Sequence, residues 1–177
     1  MRLSKQLELV SIIAQQVNAI QDLDEIFRAV VHLMQLQFGF SPVSIFSFQQ
    51  DGGPIILEAT SGSDQIRGIV FADAADGLIG TAIARKQTVI SADVQSDRRY
   101  RPSLGLPELD ALAAGTRSEI VIPLVVDEEV LGVLDVQSDR QDAFDMDDYF
   151  MFRALADSVA IAIRNASLYR SERWRRQ

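Results

Sequence analysis

Residues 118–138 read SEIVIPLVVDEEVLGVLDVQS, two β-branched runs joined by Asp127-Glu128, and the pair forms a hairpin. From 120 to 126 every position except Pro123 is apolar, so this strand is covered on both faces. That places it inside a sheet, with helices packed on one side and other elements on the opposite side. Pro123 removes a ladder donor, and a bulge is expected there. Ser118-Glu119 open the first strand and Asp135 lies within the second. A carboxylate in a buried strand needs donors. Two readings follow. Either Arg117 or another arginine satisfies Glu119 while the backbone or Arg140 satisfies Asp135, or Glu119 or Ser118 points into a pocket and reads a donor on a ligand.

Upstream, Leu3, Leu7, Val10, Ala14 and Val17 recur at alternating four-and-three spacing, the stripe of an amphipathic helix within residues 1–21. Asp22 and Glu25 form a capping-box pattern, and Ile26 to Phe38 repeat at helical spacing until Gly39 supplies a left-handed stop. Beyond Ser41-Pro42 the period shortens. Val43–Phe48 and Ile55–Thr60 pair as a hairpin across Asp51-Gly52-Gly53, and Ile69–Ala72 is a third strand. Asp76-Gly77 opens a short helix, Thr88–Ser91 is a further strand, and Glu108–Ala114 a turn or two of helix. Between them Asp93–Pro107 is polar and turn-rich, and is expected to be the most mobile internal segment. Downstream, Asp145 caps a last helix with Asp147 and Asp148 in its first turn, running towards Arg173, Arg175 and Arg176.

The whole chain has 177 residues, 17 Lys+Arg against 25 Asp+Glu, one histidine and no cysteine. A formal charge of −8 disfavours nucleic acid as a partner. Without cysteine there is no disulfide, thiolate metal site or thiol nucleophile. No apolar run reaches the roughly 20 residues of a membrane span, and no signal peptide is legible, so a cytoplasmic chain without membrane contact is expected.

DGLIGTAIARKQTVISADVQSDRRY (76–100), TRSEIVIPLVVDEEVLGVLDVQS (116–138) and AFDMDDYFMFRALADSVAIAIRNASLY (143–169) occur in this order. Together they resemble the GAF domain, a cousin of PAS folds in bacterial signalling, over roughly 22–170. Residues 1–21 are then a linker helix and 171–177 the end of a helical linker. The resemblance implies an α+β fold, with a six-stranded antiparallel sheet, terminal helices on one face and a pocket under a loop on the other. It implies a pocket lined by Phe46, Phe71, Ile79, Ile83, Val89, Tyr100, Ser118 and Glu119.

Departures from the family pattern narrow the chemistry. Bilin-binding members carry an attachment cysteine, so a covalent bilin is excluded. Free methionine sulfoxide reductases of this fold work through cysteines, and haem would need an axial ligand where the only histidine is His32. No cofactor and no metal are expected. Where cyclic-nucleotide-binding members carry Asn-Lys, Phe and Asp-Glu, this chain has Asp139-Arg140, Phe144 and Asp148-Tyr149. Those residues also suit a structural corner. Arg98-Arg99-Tyr100-Arg101 could contact a phosphate, or be a solvated loop.

The expectation is a regulatory domain without enzymatic activity that binds an unknown small molecule, as in a two-component system. It would signal through its terminal helices to the output domain of a longer protein. The alternatives are a structural dimerisation module with a self-filled pocket, and a cyclic-nucleotide-binding domain. The terminal stripes (Leu3, Leu7, Val10, Ala14 and Val17; Phe152, Leu155, Val159, Ala162, Ala166 and Tyr169) are expected to be buried by a second copy in a parallel helical bundle.

Overall fold

The computed structural model describes residues 2–48, 54–63, 65–71, 77–100 and 107–176. The chain runs α1 (Arg2–Asn18), α2 (Leu23–Phe38), β1 (Val43–Ser47), β2 (Ile55–Thr60), β3 (Ile69–Phe71), α3 (Gly77–Arg85), β4 (Val89–Ser91), α4 (Pro107–Ala113), β5 (Ser118–Val126), β6 (Glu129–Ser138) and α5 (Met146–Arg175). The strands form one antiparallel sheet in the order β3-β2-β1-β6-β5-β4. β5 and β6 lie inside the sheet and are buried on both faces, with α5 packed against one and α3 against the other.

The pleat sends alternate residues of β5 to opposite sides. Ile120, Ile122 and Leu124 join the core formed with α1, α2 and α5, which includes Ile13, Ile26, Met34, Phe152 and Leu155. Val121 instead joins Phe46, Leu57, Leu78, Ala82, Val89, Val94 and Val133 in a second core under α3 and the loop after β4. The bulge falls between Leu124 and Val125 rather than at Pro123, which pairs opposite Val133. Proline is tolerated there because β4 begins opposite Val121 and leaves that edge of β5 open at 123.

Asp22 occupies the N-cap of α2, but its side chain makes no capping hydrogen bond, while Gly39 closes the helix at φ 77°. At α5 the capping box is complete: Asp148 N–H donates to Asp145 at 2.9 Å, and Asp145 N–H donates to Asp148 at 3.0 Å. Asp148 is buried in this corner, and Phe144 packs with Phe40 and Phe152. The Phe and Asp of the cyclic-nucleotide pattern thus hold the entry to α5.

Gln6 Nε2 donates to Asp148 and Asn18 Nδ2 donates to Ser158 Oγ, each at 3.4 Å, so α1 and α5 lie side by side and parallel within one chain. This corrects the expected dimer seam. Val10, Val17, Phe152, Leu155, Val159, Ala162 and Ala166 are buried in the chain's own core. Leu7 and Tyr169 are exposed, Ala14 is half-buried, and the Leu3 side chain lies outside the described residues. α5 packs on β5 and β6, and α1 packs in turn on α5 and α2, so the chain covers most of both stripes itself.

The two-residue turn between β5 and β6 has φ 50° at Asp127 and 66° at Glu128. Both values suit the tight hairpin twist, and neither residue is glycine. Glu128→Gly should relieve the left-handed strain and raise stability by about 1 kcal/mol, read as a higher urea midpoint. A lower midpoint would mean that the Glu128 side chain contributes more than its backbone loses.

Candidate ligand site

The sheet face turned away from α1 and α5 becomes polar at one end. Across the strands, Thr60 pairs with Ser44, Ser44 with Asp135, and Asp135 with Val121. One step along, Gln137 pairs with Glu119, and Glu119 with Ser91. All six polar side chains share this face by the pleat. The Ser44 hydroxyl donates to Thr60 Oγ1 at 2.9 Å, and Gln137 Nε2 donates to Asp135 Oδ2 at 2.8 Å. Thr116 Oγ1 in turn donates to Gln137 Oε1 at 2.5 Å, which fixes the amide.

At the centre lie Glu119 and Asp135, 4% and 2% exposed, their carboxyl groups within hydrogen-bond reach of each other. Among the described residues Asp135 Oδ1 has no amide or hydroxyl donor. Burial, the Asp135 charge and the hydrogen bond between them push the Glu119 carboxyl well above its ordinary range. Burial also raises Asp135, against the lowering effect of its bonds to Glu119 and Gln137. Two adjacent carboxylates cannot both ionise cheaply in a dry site, so the pair favours sharing a proton over carrying two charges. Among the described residues neither is answered by an arginine. Arg117 lies 3.7 Å from Asp93 instead, and the Arg140 carbonyl accepts from Ser118.

The loop after β4 covers this pair. Arg99 grips Asp97 through two nitrogens at 3.0 and 2.7 Å and donates to the Ile90 carbonyl at 3.2 Å. Those bonds hold the Asp97 carboxyl well below the usual carboxylate range. The arginine is therefore a structural clasp rather than a phosphate contact. Successive turns, Ser96 N to Asp93 O and Tyr100 N to Asp97 O, both at 3.2 Å, bring Tyr100 over the site. Its phenol is pushed up to about 12, first by burial and then by the charges of Glu119, Asp135 and Asp110. Asp93–Tyr100 is thus pinned to β4, and Arg101 and the rest of the segment expected to be mobile, 101–106, lie outside the described residues.

Of the residues expected to line a pocket, Phe46, Ile79, Ile83, Val89 and Tyr100 sit in or against the second core, and Glu119 shares its face. The Phe71 side chain lies outside the described residues. Ser118 is a correction. It projects to the other side of β5, donates to the Arg140 carbonyl at 2.6 Å and accepts from Ala143 N at 3.3 Å, tying β5 to the α5 corner. A one-residue change of position reverses the face, and the choice between Ser118 and Glu119 rested on that. Asp135 is legible as a buried acid but not as a partner of Glu119 on this face, and Gln137 is not expected at all. Gln137 carries no sequence signal of its own, because its role comes from facing Glu119 across the ladder.

Two open clefts of about 450 Å³ lie elsewhere. One is at the α1–α2 turn beneath Tyr169, Arg170, Arg173 and Trp174, and the other lies between the end of α2 and the β6 exit at Asp139-Arg140. Among the described residues no group of acidic and histidine side chains has metal-site geometry, and no helix is long and apolar enough to cross a membrane.

Comparison with known proteins gives this architecture its relatives. GAF domain-containing protein A of Dictyostelium discoideum is 36% identical over 69 residues, covering 39% of this chain and 38% of that protein. The chain therefore spans well under half of that relative. The GAF domain of a phosphoenolpyruvate-protein phosphotransferase from Coxiella burnetii superposes with TM-score 0.80 at 23% identity, over 97% of this chain and 99% of that one. Free methionine-R-sulfoxide reductase from Neisseria meningitidis, solved with its substrate, gives TM-score 0.79 at 22% identity over 96% and 94%. Other solved reductases of this kind share the fold. That overturns the expectation that the chain lacks enzymatic activity: its fold is one that carries catalysis, and missing cysteines do not exclude it. The GAF domain profile itself matches residues 20–164, from the start of α2 through most of α5, and the chain belongs to this sensory and regulatory family.

Proposed function

We propose that this GAF domain is a regulatory module that binds a small molecule bearing N–H or O–H donors over Glu119 and Asp135. Occupancy is passed through β5 to α5 and on to the output domain of a longer cytoplasmic signalling protein. The observation that carries the reading is the carboxyl pair: two acids buried on one sheet face, with Asp135 Oδ1 lacking a hydroxyl or amide donor among the described residues. A buried acid pair costs stability, and a ligand donor would offset that cost. The apolar wall of Val94, Val121, Leu78 and Ala82 beside it suits the remainder of a small ligand. β5 links the two sides, because Glu119 and Val121 face the site while Ile120 and Ile122 pack in the core with α5.

Thermal shift with millimolar methylammonium, ethylammonium and acetamidinium chlorides at pH 8 tests the reading, alongside native mass spectrometry of the protein as purified. A concentration-dependent rise of several degrees that disappears in Glu119→Gln and Asp135→Asn supports it. No shift with any of these ions and no retained small-molecule mass would overturn it.

The pair also predicts a pH dependence of its own. Because both carboxyls are raised in the folded state, folded protein binds more protons than unfolded protein above the ordinary values of 3.8 and 4.5. Their contribution to stability is present in acid and declines as pH rises through those values towards the folded ones. Glu119→Gln should remove most of this decline, so the variant gains on wild type as pH rises from 4 to 8 in urea titrations. A constant difference across that range would show that Glu119 is not protonated in the fold.

A further inference from the structure

We propose that the cleft between the α1–α2 turn and the end of α5 is a docking groove for an acidic peptide segment of a partner protein, one that carries a large apolar side chain between its carboxylates. Up to Ala166 the inner stripe of α5 is buried in the core. At about 100° per residue, Tyr169, Arg170, Arg173 and Trp174 all lie within about 80° of Ala166 around the helix, so they continue that stripe beyond the core. Glu172 and Arg175 lie about 120° and 180° from it and turn away. Where the stripe passes the α1–α2 turn, a cleft of about 450 Å³ opens, with Leu23 and Ala166 as its apolar part. The four side chains line it and all are exposed, Trp174 to 73% and Tyr169 to 47%.

Composition and charge select the occupant. Tyr, Trp and Arg dominate binding energy at protein interfaces, because each combines a large contact surface with a polar end. An open cleft suits a side chain presented on a peptide better than a free small molecule, whose pocket encloses most of its surface. Among the described residues neither Arg170 nor Arg173 forms an ion pair, although the chain carries a formal charge of −8. The two uncompensated guanidinium groups start three residues apart, about 4.5 Å along the axis, and can each grip one carboxylate of a single segment. On the opposite lip Asp22 is exposed, and its side chain makes no capping hydrogen bond at the start of α2. That carboxylate is able to accept a backbone N–H of the bound segment, and it keeps the segment's acids on the α5 side. A membrane surface fits less well, because both arginines face inwards over the turn that carries Asp22.

Trp174 is the only tryptophan of the chain, so its fluorescence reports this groove alone. Titration at low salt with the acetylated, amidated peptide Glu-Asp-Leu-Glu-Glu-Leu-Asp-Glu should move the emission to shorter wavelength and saturate below about 1 mM, the range of a weak peptide contact. Replacing the acids of the peptide by their amides should weaken binding about tenfold, a loss typical of removing a charge-complementary contact. Arg170→Gln/Arg173→Gln in the protein should do the same, with folding verified by circular dichroism, since both side chains are exposed. No spectral change at millimolar peptide would overturn the proposal. An equal response to the amide peptide would overturn it too, because the arginines would then select nothing. A saturable response to inorganic phosphate would instead mark a small-anion site. Cosedimentation with phosphatidylglycerol vesicles, lost in Arg170→Gln/Arg173→Gln, would mark a membrane contact, and an emission that shifts with protein concentration alone would mark a contact between copies. Each of these three outcomes also overturns the acidic-peptide assignment.

Discussion

Phe152→Ala is expected to lower the unfolding free energy by about 3–5 kcal/mol. Phe152 is fully buried near the start of α5, with its ring 5.7 Å from Phe38 and 5.9 Å from Phe40, both edge-on, and 6.3 Å from Phe144. Those partners come from the end of α2, the segment after it, and the loop into α5. Truncation therefore leaves a cavity where three separate pieces of chain meet, and it also forfeits the edge-to-face contacts. None of the three can collapse alone, since α2 and α5 are held by the sheet below. Urea unfolding should show a lower midpoint with an unchanged slope. A loss under 1 kcal/mol would mean that the corner repacks, and that the entry to α5 is softer than its capping box suggests.

Gly132→Ala should cost about 3 kcal/mol or more for the opposite reason, overpacking. A Cβ at Gly132 would sit 2.1 Å from the Phe46 carbonyl oxygen and 3.1 Å from Ser47 Cα. Both are backbone atoms of β1, which pairs with β2 on one side and β6 on the other and so cannot withdraw. The expected result is poor soluble yield or a midpoint too low to measure at 25 °C. A variant with wild-type stability would show that β1 and β6 are further apart at this crossing. Because Phe46 belongs to the apolar wall beside the carboxyl pair, a partly folded variant should lose any ligand response along with stability.

Periodicity carried most of the architecture. The apolar run of β5, the shortened period after Pro42 and the caps at Gly39 and Asp145 each act within a few residues. Local rules therefore suffice for them, and the order of three motifs supplied the topology. The fate of the terminal stripes was not local. Val10, Val159 and Ala162 look the same in sequence whether the chain's own elements or a second copy cover them, and only the packing of α1 on α2 and α5, and of α5 on the sheet, decides. The site divided in the same way. That Glu119 and Asp135 are buried acids in need of donors could be read from their strands. That they meet each other, with Gln137 and not an arginine beside them, depends on ladder register. Register brings together residues 16 positions apart, and its bulge falls beyond Pro123, between Leu124 and Val125. Composition alone settled what chemistry cysteine could not supply here. Which side of β5 Ser118 and Glu119 face was decided only by the folded sheet, because a pleat assigns faces by parity and a single residue of slip reverses them.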